Sequence, residues 1–318
     1  MDYNIFGNIN RMVSGGRTFI LLMGNCLTGV GEADMDIQNI VTVLAEVPGV
    51  SAIALGGSQS RKEADENSDY DIGLYYKNQA LDLITLEDSL KKLDDRHRDN
   101  LLNPPGAWGP WINGGGWLTF DGTPVDILLR ETGQVETVLK DCLSGRITID
   151  YQCGHPFGFL NTIYASETHY CIPLWQDGAS SLDRLKALLY SEGEYPPAMR
   201  EAVITKFLWE AWFSLECGRK AARKGDINYA CGSVFRTVCS WAEVLFALNN
   251  VYLMNEKGAL QGVRALSRKP ADMEARVKSS YKLIMDECAD KAWQILEELH
   301  NEIGGLSGDV KAVITEIR

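Results

Sequence analysis

Apolar positions along this chain follow two rhythms, with alternation prominent in the first half and helical spacing dominating the second. From Asp36 to Ala45, the residues Ile37, Ile40, Val41 and Leu44 recur three to four apart and predict a helix. Pro48-Gly49 breaks it, and Val50–Leu55 reads as a short apolar strand ending in Gly56-Gly57. Ser58–Glu66 follows as a polar turn and short helix. In the predicted strand Asp69–Tyr76, Tyr70, Ile72, Leu74 and Tyr76 face one way and Asp69 and Asp71 the other, as a half-buried strand requires. A charged helix over Leu83–His97 leads into an ordered loop, Asn103–Gly116, rich in Gly, Pro and Trp. The strands Trp117–Phe120 and Thr123–Arg130 flank Asp121-Gly122, a strong two-residue hairpin signal. Within the second of them Val125, Ile127 and Leu129 point to a core, so Asp126 and Arg130 share the opposite face.

A further helix is predicted over Val135–Leu143 and a strand near Ile147–Tyr151, with mixed structure to Ser180. Beyond Pro196-Pro197 three helical stripes stand out. The first is Ile204, Leu208, Ala211 and Leu215. The second is Val234, Val238, Trp241, Leu245, Leu248 and Tyr252, and the third Val277, Tyr281, Ile284, Cys288, Ile295 and Leu299. Such stripes belong to helices packed in a bundle. The expected class is therefore α+β, a mixed sheet with flanking helices followed by an all-helical domain. The expected division is a leader of uncertain order over 1–33, an α/β domain over 34–180 and a helical domain over 181–318.

Composition narrows the function. The net charge of −12 on 318 residues argues against a large nucleic-acid footprint, which needs clustered Lys and Arg. It suits a small ligand, a cationic one included. The eight cysteines are scattered without a C-x-x-C pair, which points to reduced thiols and a cytoplasmic location rather than to zinc or a disulfide framework. The early apolar run Phe19–Met23 is too short to span a bilayer.

Chemistry concentrates in residues 55–71. Glycines ending an apolar strand let the backbone approach a polyphosphate, and Ser58 with neighbouring N–H groups is placed to grip it. Asp69 and Asp71 lie on one strand face, about 6–7 Å apart. Such oxygen ligands suit Mg²⁺, which favours one or two carboxylates plus substrate phosphates. Alone, the glycine–serine segment reads as a plain tight turn and the Asp-x-Asp as an exposed strand edge. With Asp126 as a third carboxylate on an outward face, they read together as a site for nucleotidyl transfer.

Gly56-Gly57-Ser58, Asp69-x-Asp71 and Asp126 resemble the signature of the polymerase-β-type nucleotidyltransferase superfamily over roughly residues 50–130. The mixed sheet followed by helices looks like its small-molecule branch, which includes aminoglycoside and lincosamide nucleotidyltransferases. The resemblance implies that Asp69 and Asp71 hold Mg²⁺ and that Gly57 and Ser58 bind the β- and γ-phosphates of ATP or another nucleoside triphosphate. It implies that Asp126 completes the metal site or acts as general base. Arg61 is placed to meet the triphosphate or to be an exposed loop arginine. Lys257, after the long helix, is similar to a lysine that reaches the triphosphate in several such enzymes, with Tyr281 beside it; a solvated helix-end lysine and a core tyrosine are the other readings.

Arg236, Ser240, Glu243 and Asn250 form a stripe that either lines an acceptor pocket or faces solvent. Trp108, Trp111 and Trp117 either stack on a ring or plug the sheet edge, and His155 has no visible partner. The expected reaction is Mg²⁺-dependent transfer of AMP from ATP to a hydroxyl of a small molecule, aminoglycoside-type antibiotics included. Nucleotidylylation of a partner protein and non-catalytic nucleotide binding are the alternatives. No nucleic-acid or membrane partner is expected.

Overall fold

A computed structural model describes residues 10–14, 17–21, 36–65 and 68–308, the first two segments as backbone. Two compact units divide the chain: 1–137 with 167–188, and 138–166 with 189–318.

The first unit is built on a seven-stranded sheet. In chain order the elements as far as β6 are β1 (Asn10–Ser14), β2 (Arg17–Leu21), α1 (Ile37–Ala45), β3 (Val50–Leu55), α2 (Gly57–Arg61), β4 (Tyr70–Tyr76), α3 (Leu83–Leu93), β5 (Gly115–Phe120) and β6 (Thr123–Glu131). Next come α4 (Thr132–Leu143), β7 (Ile149–Gln152), β8 (His155–Leu160), α5 (Thr162–Tyr170), β9 (Ile172–Gln176) and α6 (Ser181–Leu189). The sheet order is β1-β2-β9-β3-β4-β6-β5, with β4 and β6 parallel and every other pair antiparallel. Strands β7 and β8 pair with each other, and both lie in the second unit.

Local chemistry explains most boundaries. The Asp36 carboxylate caps α1 by accepting from Asn39 N–H, and Asp82 caps α3 through Ile84 and Thr85. Asp121 (φ 51°) and Gly122 (φ 74°) give the β5–β6 hairpin the left-handed pair its two-residue loop demands. Helix α3 stops at Leu93, short of the expected His97, because Asp94 turns extended and spends its carboxylate on Arg98 and Thr119. Helix α4 starts before the expected Val135 because Glu131 accepts from Gly133 and Gln134 N–H.

Alternation sorts the sheet faces as expected. Ile72, Leu74, Val125, Ile127 and Leu129 are all at 0% exposure and pack with Ile40, Leu44, Leu86 and Leu90. Burying each such side chain contributes about 1.5–3 kcal/mol. Of the leader expected over 1–33, residues 10–14 and 17–21 form the hairpin at the β9 side of the sheet; its other positions, Cys26 among them, lie outside the described residues, as does Glu66.

The second unit gathers β7, β8 and the remaining helices, α7 (Pro197–Ala222), α8 (Ile227–Leu248), α9 (Ala259–Gly262), α10 (Met273–Met285) and α11 (Ala289–Leu306). The first stripe is α7, with Ile204, Leu208, Ala211 and Leu215 buried and Pro197 at its first position. The second stripe overshoots its helix: Asn250 (φ 55°) closes α8 in a Schellman turn, Val251 N–H bonding to Phe246 C=O, and Tyr252 is buried beyond it. The third stripe is two helices rather than one. Glu287 (φ 57°) closes α10 in the same way, with Cys288 N–H on Leu283 C=O, before α11 begins. Neither stop carries the glycine that usually announces it. By length and composition α8 is apolar enough to cross a membrane, but most of it is buried within its unit, as a core helix is.

Candidate active site

Strand β3 ends at Leu55, and the chain turns through Gly56 into α2. Gly56 N–H donates to Asp71 C=O at 2.8 Å, tying this turn to β4. Gly57 is left-handed (φ 57°), and a Cβ built on it would lie 1.7 Å from Asp71 Oδ2. The missing side chain is therefore the space the Asp71 carboxylate occupies. No side chain caps α2, so the N–H groups of its first turn, Ser58 among them, are not taken by a capping residue. Arg61 braces the turn from within: it donates to Gly57 C=O at 2.9 Å, pairs with Glu63 at 2.8 Å and sits 6.0 Å from the Tyr170 ring.

The carboxylates come together by strand register. Asp71 on β4 pairs with Asp126 on β6, and since Ile72 and Ile127 fill the core, both aspartates project from the other face. Asp69 lies two residues upstream of Asp71 and acts electrostatically on both. Burial pushes the Asp71 carboxyl up to about 6, helped by Asp69, Asp126 and Glu167 and opposed by Arg61. Burial raises Asp126 to about 6 as well, with Asp69 adding to it and a hydrogen bond from the Trp117 side chain opposing. The carboxylates raise one another's pKa, only partly offset at Asp71 by Arg61, and a cation beside them would relieve that repulsion.

Among the described residues, no three His, Cys, Asp or Glu side chains close on one point as a ready-made metal cage. Mg²⁺ does not need one, because it takes one or two carboxylates and fills its octahedron with water and substrate phosphates. An all-oxygen, anionic donor set fits that ion.

One feature escaped the sequence reading. Glu167 of α5 pairs with Arg130 through both carboxylate oxygens, at 2.7 and 2.8 Å, and its charge reaches Asp71. Arg130 is 4% exposed, so this outward-face arginine is a buried brace. No local pattern marks Glu167; only the return of the chain through α5 and β9 brings it there. Trp117, at the head of the strand expected over Trp117–Phe120, lies on β5 directly opposite Asp126.

In the second unit, Lys257 is exposed in the segment before α9. Tyr281 is half-buried on α10, its hydroxyl pKa raised by burial and by Cys239 and Cys231. The stripe read as pocket lining or solvent face is partly interior: Ser240 and Glu243 are buried. Burial and the neighbouring Glu256 push Glu243 up to about 8. His155 does have a partner, Glu256, with Nδ1 3.5 Å from Oε2.

Residues 38–103 match the family described as Polymerase beta, Nucleotidyltransferase. Among curated proteins none matches the chain. Solved structures with a similar chain path include a nucleotidyltransferase-like protein from Exiguobacterium sibiricum and an aminoglycoside 6-adenyltransferase from Bacillus subtilis. The first is 11% identical, covering 87% of this chain and 77% of its own, with a TM-score of 0.42. The second is also 11% identical, covering 90% and 97%, with a TM-score of 0.29. At that distance neither transfers chemistry to this chain.

Proposed function

We propose that this chain, which carries a polymerase-β-type nucleotidyltransferase domain over residues 38–103, transfers AMP from ATP to a hydroxyl of a small molecule and releases pyrophosphate. The observation that carries the reading is the register of Asp71 with Asp126 on adjacent parallel strands, beside a turn whose glycine is emptied for the Asp71 carboxylate.

Ser58 and the first amides of α2 hold the β- and γ-phosphates, where the backbone approaches closely. The acceptor hydroxyl attacks the α-phosphorus and gives its proton to Asp126. A new O–P bond forms, the bond to the β-phosphate oxygen breaks, and pyrophosphate leaves with the electron pair. A carboxylate raised to about 6 is a proton acceptor matched to near-neutral pH. Asp69 and Asp71, with Asp126 alongside, would hold Mg²⁺, which neutralises charge on the phosphoryl oxygens. Arg61 positions the turn rather than the reacting atoms. The assignment of Lys257 and Tyr281 to nucleotide binding rests on the resemblance, as does the choice of aminoglycoside-type antibiotics as the first acceptors to test. A cytoplasmic location is part of the same reading.

The test is pyrophosphate release with each nucleoside triphosphate across a panel of hydroxylated metabolites and antibiotics, in wild type and Asp69→Asn. The variant is expected to lose turnover with its circular dichroism unchanged. Normal turnover in Asp69→Asn would falsify the metal site.

A further inference from the structure

Helix α7 has two faces of opposite kind. The inner one is closed: Phe207, Leu208, Ala211 and Leu215 are buried, and the Trp293 indole N–H donates to Leu215 C=O at 2.9 Å. A Cβ added at Gly218 would meet Ser233 at 2.7 Å and Trp293 at 2.9 Å, so α8 and α11 already press against this side. The outer face carries Trp209 and Trp212, each 39% exposed, and Phe213, 49% exposed. The rings of Trp209 and Phe213 stack with centroids 5.2 Å apart and planes 6° from parallel, and Trp212 leans on the same Phe213 at 6.4 Å. Single exposed apolar residues are ordinary, whereas a contiguous aromatic cluster marks an interaction surface.

The cluster lies in a regular seam. Ala202, Lys206, Trp209, Phe213, Glu216 and Lys220 step alternately by four and three, the spacing that keeps one line of a helix against a second helix. Laid antiparallel on its own copy and centred at the level of Ala211, the seam matches itself. Trp209 meets the partner's Phe213, Lys206 meets the partner's Glu216, and Lys220 passes over the partner's Ala202, where a small side chain leaves room for its stem. A parallel arrangement would instead set lysine on lysine and glutamate on glutamate.

Charge points to the same arrangement. Lys206 has no ion-pair partner among the described residues. At the other end of the seam one guanidinium, Arg219, serves two carboxylates, Glu216 at 2.9 Å and Glu297 at 2.8 Å, which leaves a negative charge over. Ten positions of one helix span about 15 Å, so Lys206 and Glu216 cannot pair within a chain. A second copy brings them together twice, once on each side of a two-fold axis. An anionic lipid surface, by contrast, repels a chain of net charge −12.

We propose that the outer face of α7 is the docking surface for a second copy of this chain, the two α7 helices crossing antiparallel with their aromatic clusters interleaved. The exposed parts of the three rings amount to roughly 300 Å² per copy. A standard stable interface buries about 800 Å² on each side. The dimer is therefore a weak one that forms and dissociates in the micromolar range.

Sedimentation equilibrium of the full chain at 0.15 M salt, over about 1–200 μM, tests this, with thermal melts confirming that each variant folds. Wild type is expected to pass from monomer to dimer with a Kd of about 10–100 μM. Phe213→Ser should weaken the dimer about tenfold or more. Lys206→Glu and Glu216→Lys should each weaken it about fivefold, and the two together should return it to within about threefold of wild type, because the pair is rebuilt between chains with its signs exchanged. Flotation with phosphatidylcholine vesicles should leave the protein unbound. Four results overturn the proposal: a monomer throughout the concentration range, a dimer indifferent to Phe213→Ser, a double variant no tighter than either single one, or vesicle binding that Phe213→Ser abolishes, which would make the face a lipid-binding one.

Discussion

Replacing Asp71 by asparagine is expected to make the metal-free protein more stable while abolishing its reaction. The Asp71 carboxyl sits near 6 in the folded chain against an ordinary 3.8, chiefly through burial and then through Asp69, Asp126 and Glu167. Between those values the folded state binds the extra proton, so stability falls as pH rises from about 4 to 6 and stays reduced above. Two pH units correspond to about 3 kcal/mol as an upper limit. Asp71 is only partly buried, and solvent screening reduces this to about 1–2 kcal/mol. Asparagine keeps the shape and removes the charge. In EDTA at pH 7.5 the variant should therefore melt about 2–6 °C higher, and at pH 4 the two melting curves should coincide. Millimolar Mg²⁺ should raise wild type and leave the variant nearly unmoved, and pyrophosphate release should vanish. The assay is a thermal melt by circular dichroism at both pH values, with and without the ion. A lower melting temperature for Asp71→Asn at pH 7.5 in EDTA, or an equal offset at pH 4, would refute the electrostatic reasoning.

Gly57→Ala drives a Cβ into Asp71 Oδ2 and forces a left-handed alanine; it is expected to cost about 1–2 kcal/mol in urea unfolding and on the order of 100-fold in kcat from displacement of the carboxylate. Arg130→Ala leaves Glu167 without its bidentate partner and should destabilise by about 3 kcal/mol, the low end for a broken buried pair because Glu167 retains some exposure; a loss below about 1 kcal/mol in chemical denaturation would contradict the brace. Glu243, raised to about 8 by burial and Glu256, makes wild type lose stability as pH climbs from about 4.5 to 8. Glu243→Gln removes that slope, so melting temperatures of variant and wild type should diverge in the variant's favour up to pH 8 and run parallel beyond it.

What the sequence determined by itself was everything set within a few residues. Val50–Leu55 came out at its observed bounds because Pro-Gly before it and Gly-Gly after it punctuate an apolar run. The Asp121-Gly122 turn follows from backbone freedom. The spacing of Asp71 and Ile72 decided which face each would take. Helix stops at Asn250 and Glu287 stayed hidden because asparagine and glutamate adopt the left-handed cap without advertising it. The tertiary structure alone decided what depends on distant segments meeting. Strand β9 enters the sheet beside β3 after more than a hundred residues, α5 delivers Glu167 to Arg130 and Asp71, and β5 sets Trp117 against Asp126. Periodicity is a short-range signal, so it fixes the side a residue faces, whereas the neighbour across that side is chosen by strand pairing and by how the core closes.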